Sequence, residues 1–160
     1  MDTLINLLRQ NARLSCKELA AMTGATESEV EAKIKEYERD GSIKGYSAII
    51  NEDKADKDNV TAFIEVKVTP KADCGFDDIA NTIMMYDEVE SLTLMSGASF
   101  DLAVTISGTN YKEVALFVAQ RLSTIDGVIS TATHFILKRY KEKGFFIEGE
   151  AADERSFVSP

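Results

Sequence analysis

The chain holds one histidine, two cysteines and two prolines in 160 residues, and it has no tryptophan. Cys16 and Cys74 stand far apart, with His134 as the sole soft co-ligand, so neither a zinc site nor, in a reducing compartment, a disulfide is expected. The same scarcity leaves little for enzymatic chemistry, because no histidine, cysteine or paired-carboxylate cluster accompanies His134. No apolar run reaches the ~18 residues of a membrane span, and the first residues lack a basic stretch followed by an apolar core. The expectation is a cytoplasmic protein without cofactor, catalytic residues or bound metal. Cations are also in the minority, with 18 Lys and Arg against 27 Asp and Glu for a net charge of −9. A surface coated in nucleic-acid contacts needs clustered Lys and Arg, which this balance does not supply overall. The deficit is uneven: residues 1–50 carry seven basic and eight acidic side chains, net −1, leaving −8 for residues 51–160.

What is present is organised. At 44% hydrophobic residues the chain has enough apolar material for a small domain plus a medium one. Leu4, Ile5, Leu7 and Leu8 form a helical stripe, Leu19, Ala20 and Met22 form a second, and Val30, Ile34 and Tyr37 recur at i, i+4 and i+7. Ser15 with Glu18, and Thr26 with Glu29, have the S/T-x-x-E spacing in which each partner satisfies an orphan N–H at a helix start. Gly24 supplies the turn between the two starts, and Gly41 the left-handed stop after the third helix. Two short capped helices joined by a glycine turn are the sequence form of a DNA-reading helix-turn-helix. Ile43 to Ile50 reads as extended, and residues 51–59, NEDKADKDN, as a charged linker. The boundaries drawn are residues 1–50 for the helical domain and 51–60 for the linker. A second domain occupies 61–140, and a C-terminal extension 141–160.

From Val60 the period becomes two. Ala62, Ile64, Val66 and Val68 alternate until Pro70; Val89 to Met95 is extended; and Phe100, Leu102, Val104 and Ile106 alternate again. Residues 96–99, SGAS, join the last two strands as a hairpin. Phe76, Ile79, Ala80 and Ile83 have helical spacing, as do Val114, Phe117, Val118, Arg121 and Leu122, and Asp126-Gly127 turns the chain into a strand from Val128 to about Lys138. The order β-α-β-β-α-β defines an α+β, ferredoxin-like unit with both helices on one sheet face. The strands are apolar enough to predict an apolar uncovered face that dimerises. Met84, Met85 and Met95 read as core or interface fillers. The extension, with Phe145, Phe146, Ile147, Phe157 and Val158, reads as an extended segment pairing with a sheet edge or a partner subunit.

A winged-helix-like helix-turn-helix followed by a βαββαβ domain resembles the Lrp/AsnC, or feast/famine, family. Leu8 to Ser15 (LRQNARLS) followed by Glu18-Leu19-Ala20 is similar to the family's opening, which ends its first helix with an N-A-R or D-A-R turn. Gly41-Ser42-Ile43-Lys44-Gly45-Tyr46 resembles its G-x-I-x-G-Y exit from the recognition helix. Met95-Ser96-Gly97 with Phe100-Asp101-Leu102 resembles its glycine-to-aspartate hairpin, and Asp126-Gly127-Val128 with Thr131-Ala132-Thr133 its last-strand entry. Members have G-x-x-D, whereas three residues separate Gly97 from Asp101 here, so either the turn holds one extra residue or Ala98 takes the glycine's place.

The resemblance implies a sequence-specific transcriptional regulator that binds double-stranded DNA and answers to an amino acid or related metabolite held between subunits. It further implies homodimers assembling into a higher even oligomer such as an octamer. At about 100° per residue, the face of the third helix opposite its buried stripe holds Ser28, Ala32, Lys35 and Arg39. The glutamates fall on its flanks, Glu36 among them. Basic side chains position phosphates or read guanine, small ones permit close approach, and a flanking glutamate accepts from cytosine. The competing reading is a solvated helix laced with Glu29–Lys33 and Glu31–Lys35 pairs. For the effector, the resemblance points to the hairpin: Asp101 accepting from an ammonium, backbone N–H groups around Gly97 and Ala98 holding a carboxylate, and Thr131 or Thr133 donating a hydroxyl. The plainer alternatives are a turn-capping aspartate and β-branched strand residues. Two rival functions stay open on sequence: a sensing or assembly module that does not bind DNA, and an enzyme resembling the related tetrapyrrole decarboxylases.

Overall fold

The computed structural model describes residues 3–55, 59–70, 75–97 and 99–147. The chain divides into two compact units, Met1–Ala48 and Ile49–Pro160.

The first unit holds α1 (Thr3–Gln10), α2 (Cys16–Thr23) and α3 (Glu27–Asp40). Both expected capping boxes form. Ser15 Oγ accepts the Glu18 N–H at 3.2 Å and the Glu18 carboxylate accepts the Ser15 N–H at 2.8 Å, while Thr26 and Glu29 repeat the exchange at 3.3 and 2.8 Å. Gly24 and Gly41 stop α2 and α3 at φ +74° and +79°, a conformation that costs an L residue about 1 to 2 kcal/mol. Leu4, Leu8, Leu19, Ala20, Val30 and Tyr37 are buried together, with Ile34 and Ile43 packed at their edge. Met22, grouped with Leu19 and Ala20 by spacing, is exposed. The Ile43 N–H donates to the Tyr37 carbonyl at 3.0 Å, drawing the chain back under α3, and residues 43–50 run on without entering a strand.

The second unit opens with a single helical turn, α4 (Glu52–Ala55), inside the expected linker. Then follow β1 (Val60–Val68), α5 (Asp77–Ile83), β2 (Val89–Leu94), β3 (Leu102–Gly108), α6 (Tyr111–Gln120), a 3-10 turn (Leu122–Thr124) and β4 (Val128–Phe135). The β-α-β-β-α-β order is thus as read. The sheet runs β2-β3-β1-β4 with every neighbour antiparallel. Ala62, Ile64, Val66 and Val68 of β1 and Leu102, Val104 and Ile106 of β3 are buried with Ile79 and Ile83 of α5 and Val114, Phe117 and Val118 of α6. Thirteen residues in that core are buried, and at ~1.5 to 3 kcal/mol for each large side chain this burial is the dominant force holding the unit together.

Several expectations are corrected. The sheet face away from the helices is not apolar: β1 sends Thr61, Phe63, Glu65 and Lys67 to it, and their register partners there are Ala103, Thr105, Ser107, Ser130, Ala132 and His134. The aliphatics of β1 and β3 at Ile64, Val66, Leu102, Val104 and Ile106 lie in the core with the helices instead, while Leu94 of β2 and Ile129 of β4 are exposed. Phe100 leaves the alternation, since β3 starts two residues later and its ring stands edge-on to Phe63 at 6.2 Å. Met84, Met85 and Met95 are exposed on the single chain, so of the two roles read for them, core or interface filler, the core role is excluded. α6 begins three residues before Val114, where Asn110 Oδ1 caps the Glu113 N–H at 2.9 Å. The extension folds on itself: β5 (Lys141–Glu142) pairs with β6 (Phe145–Phe146) as a separate hairpin, while Phe157 and Val158 lie outside the described residues.

Candidate functional site

α3 carries the first candidate surface. Val30 and Tyr37 are buried and Ile34 is half-buried, so the helix is fixed with Ser28, Ala32, Lys35 and Arg39 exposed on the opposite side. Lys35 Nζ donates to the Glu31 carboxylate at 2.6 Å. That bond holds the Glu31 carboxyl below its ordinary range and raises the Lys35 ammonium above its own. The expected Glu29–Lys33 pair is replaced. Glu29 is committed to capping Thr26, and Lys33 turns the other way, donating to Glu36 at 2.8 Å and lying 5.1 Å from the centre of the Tyr37 ring. Glu36 is therefore half-buried on the flank, engaged with Lys33. The arrangement is a helix anchored at both ends and along one stripe, offering small and cationic side chains outward. Such a face can lie against a groove without reorganising the helix.

The second candidate surface lies where β2 passes to β3. The Met95 N–H donates to the Asp101 carbonyl at 2.7 Å, and the Asp101 N–H to the Val66 carbonyl at 3.0 Å, closing the connection over the end of β1. The Asp101 side chain is mostly buried and fully engaged: Oδ2 accepts the Val68 N–H at 3.0 Å and Oδ1 accepts from Lys67 Nζ at 3.1 Å. The Val68 N–H, and after it Lys67, draw the carboxyl below its ordinary range against the opposing effect of burial. The register of β1 against β4 shifts between Lys67 and Val68, and such an irregularity leaves a backbone donor without its ladder partner. Asp101 supplies the missing acceptor.

Gly97 does not take a left-handed conformation, and a Cβ there would meet only the Phe100 carbonyl, at 3.9 Å. Ala98 lies outside the described residues. Thr131 pairs with Val66 and Thr133 with Ile64 across β4, on the helix-covered face, and Thr131 Oγ1 is 3.2 Å from Ser123 Oγ. β1 separates these threonines from β3, a span of about 10 Å at two strand spacings. The structure thus gathers Asp101 with Lys67 and Val68, and leaves Thr131 and Thr133 apart from them. Lys67 went unnoticed in the sequence because its partner is 34 residues away. Among the described residues no helix is long and apolar enough to cross a membrane, and no group of three or more His, Cys, Asp or Glu side chains is placed to hold a metal.

Comparison with known proteins bears on both surfaces. Residues 3–44 match a family model described as a winged helix-turn-helix DNA-binding domain, and residues 61–144 one described as the Lrp/AsnC ligand binding domain. The chain is 45% identical to an uncharacterized HTH-type transcriptional regulator, YugG of Bacillus subtilis, over 98% of its own length and 95% of that protein's. It is 28% identical to the HTH-type transcriptional regulator FL11 of Pyrococcus furiosus over 87% and 88% of the two chains. Among solved structures, the leucine response regulatory protein of Mycobacterium tuberculosis superposes with a TM-score of 0.74 at 23% identity, covering 92% of this chain and all of that one. A transcriptional regulator of Neisseria meningitidis solved as a complex with L-Met gives 0.70 at 24% identity, covering 89% and 93%. At those identities the structural likeness establishes the shared fold.

Proposed function

The chain belongs to the Lrp/AsnC family of transcriptional regulators, with a helix-turn-helix DNA-binding domain joined to a ligand-binding domain, and from that premise we propose how its residues divide the work. α3 enters the major groove of double-stranded DNA. Lys35 and Arg39 contact phosphates or guanine edges there, while Ser28 and Ala32 allow the helix backbone to approach. The observation that carries this reading is the sorting of α3: its apolar stripe is buried and its small and cationic residues face out. Glu36, tied to Lys33, limits the surface on one flank and accepts from a cytosine amine only when that pair opens.

The sheet domain binds an amino acid in the cytoplasm, the ligand class bound in the Neisseria structure. Backbone N–H groups near Gly97 and Ala98 hold the carboxylate. Asp101 is a positioning residue whose Lys67 partner a ligand ammonium must displace. Since β1 stands between the hairpin and the threonines, Thr131 and Thr133 reach the same ligand from a second subunit. The protein works as a homodimer that assembles into a higher even oligomer, an octamer fitting the reading. Ligand between subunits then changes the assembly and with it the spacing of the readers, the kind of coupling in which several weak contacts act together.

A second reading, a sensing module without DNA binding, draws on the Glu31–Lys35 and Lys33–Glu36 pairs that engage two lysines of α3 internally. Selection of bound duplexes from random DNA separates the two readings: an enriched motif supports the regulator, and no recovery at low salt supports the module. Sizing and DNA titration with a panel of amino acids, L-methionine first, test the sensor. No change in assembly, heat stability or DNA affinity with any of them overturns that half.

A further inference from the structure

The hairpin beyond the sheet carries a local excess of positive charge, the sign that is in the minority in the chain as a whole. Residues 136–147, ILKRYKEKGFFI, contain Lys138, Arg139, Lys141 and Lys143 against the single Glu142, in a chain of net charge −9. Lys138, Lys141 and Lys143 are exposed, and so are Tyr140, Phe145 and Phe146. The lysines lie along the rings, Lys141 Nζ 4.8 Å from the Phe146 centroid and Lys138 Nζ 5.1 Å from that of Tyr140. The Phe146 ring face orients the Lys141 ammonium without neutralising it. The one carboxylate is drawn toward the base of the hairpin, where Glu142 is 3.6 Å from Arg139.

The tip is the second observation. Lys143 has φ +45°, the one non-glycine residue among those described with positive φ, and Gly144 follows at +95°. Two positive-φ residues between paired strands make the mirror-image hairpin turn that Asn-Gly or Asp-Gly forms without strain. A lysine there is held at a conformational cost, and strain of this kind points to a role for the side chain. The base is closed by the Ile147 N–H donating to the Tyr140 carbonyl at 3.0 Å, and it is tied to the rest of the unit by Asn51 Nδ2 donating to the Ile147 carbonyl at 3.0 Å and the Ile136 N–H to the Thr61 carbonyl at 2.9 Å. The cations are therefore presented on an anchored rod.

The geometry points to this hairpin, 138–146, as a second, sequence-independent DNA contact, in which Lys141 and Lys143 bind backbone phosphates. It rests on the reading that the protein binds DNA. The partner is a polyanion because Lys141 and Lys143 are exposed side by side at the end of the hairpin in a chain of net charge −9. The phosphate backbone is favoured over an acidic protein because the same chain already presents a DNA-reading face on α3 in a unit of net charge −1 over residues 1–50, and each further lysine on a phosphate adds affinity by counterion release.

The test is the salt dependence of DNA binding by the full chain and by the double variant Lys141→Gln/Lys143→Asn, with Lys112→Gln on α6 as control. Asparagine is at home at positive φ, so the variant keeps the turn, and circular dichroism with sizing verifies this. On a selected duplex and on random duplex alike, the double variant should lower the slope of log affinity against log salt by about 1 to 2 and weaken binding roughly tenfold near 0.1 M salt. The control should change neither. An unchanged slope in a variant that still binds overturns the hairpin contact, as does a change in subunit number, which would assign the hairpin to assembly. Absence of DNA binding by the unaltered chain at low salt overturns the underlying regulator reading instead.

Discussion

Asp101 Oδ2 accepts the amide N–H of Val68 at 3.0 Å, at the point where β1 shifts its register against β4. One side chain at the entrance of β3 thus completes the backbone bonding of the strand beside it, and its second oxygen holds Lys67. Replacing Asp101 with Ala leaves a buried donor without an acceptor. The sheet domain should lose about 1 to 3 kcal/mol of stability, measured by urea unfolding at neutral pH, and a ligand dependent on this connection should bind more weakly.

The same carboxylate predicts a pH dependence. Its folded-state value lies below the ordinary 3.8, so the unfolded chain takes up the proton first as pH falls. The stability it contributes is complete above 3.8 and is lost as the pH drops through the lowered folded value. The gap in unfolding free energy between the unaltered protein and Asp101→Asn should accordingly narrow below pH 3.8. A gap that stays constant down to the acid limit would remove the carboxylate from this role.

Capping sets the reader. Thr26→Ala removes the acceptor for the Glu29 N–H and the hydroxyl that donates to the Glu29 carboxylate, leaving only the backbone N–H of residue 26 on that carboxylate, at a cost of about 1 kcal/mol to α3. Thr26→Ser should recover most of it. Thermal unfolding of the three proteins should rank them Thr, Ser, Ala. DNA affinity should follow that rank if the frayed turn carries Ser28 away from the groove.

Local signals were legible in the sequence and non-local ones were not. Both capping boxes, the stops at Gly24 and Gly41 and the strand alternation rest on contacts within a few residues, and each appears where the spacing put it. Alternation along the last strand likewise sets His134 on the face opposite Thr133 and Phe135, and its ring stands beside Phe63 on the uncovered face, 6.1 Å between centroids. It misjudged Phe100, because the turn that Asp101 makes onto Val66 and Val68 reverses the face and depends on residues more than thirty positions away. The same distance hid Lys67. In α3 the choice of Lys33 between Glu29 and Glu36 was decided by the capping box, a competition that spacing alone does not resolve.

Gly41 offers a direct check on the exit from the reader. Its φ of +79° is strained for any L side chain, while the nearest atoms to a new Cβ belong to the flexible end of Lys44, with Nζ at 2.5 Å. Space is therefore not the obstacle, since Lys44 can swing aside; backbone conformation is. Gly41→Ala should cost about 1 kcal/mol, and Gly41→Asn distinctly less because asparagine tolerates the left-handed region. Equal losses for the two variants would show that crowding by Lys44 governs the position.

The outward residues of α3 give the sharpest functional contrast. Lys35→Glu/Arg39→Glu reverses two exposed cations and sets a new carboxylate one helical turn after that of Glu31, where the like charges cost a few tenths of a kcal/mol. Val30 and Tyr37, which hold the helix to its neighbours, are untouched. Helicity and unfolding midpoint should stay close to those of the unaltered protein while recovery of DNA by selection is abolished. Lys33→Gln serves as the comparison, since Lys33 is engaged with Glu36 and the Tyr37 ring on the flank. It should lower stability slightly and leave DNA recovery intact. If instead Lys33→Gln abolishes recovery and the double reversal does not, the groove-facing side of α3 has been assigned to the wrong stripe, and the helix must approach DNA along its Lys33 edge.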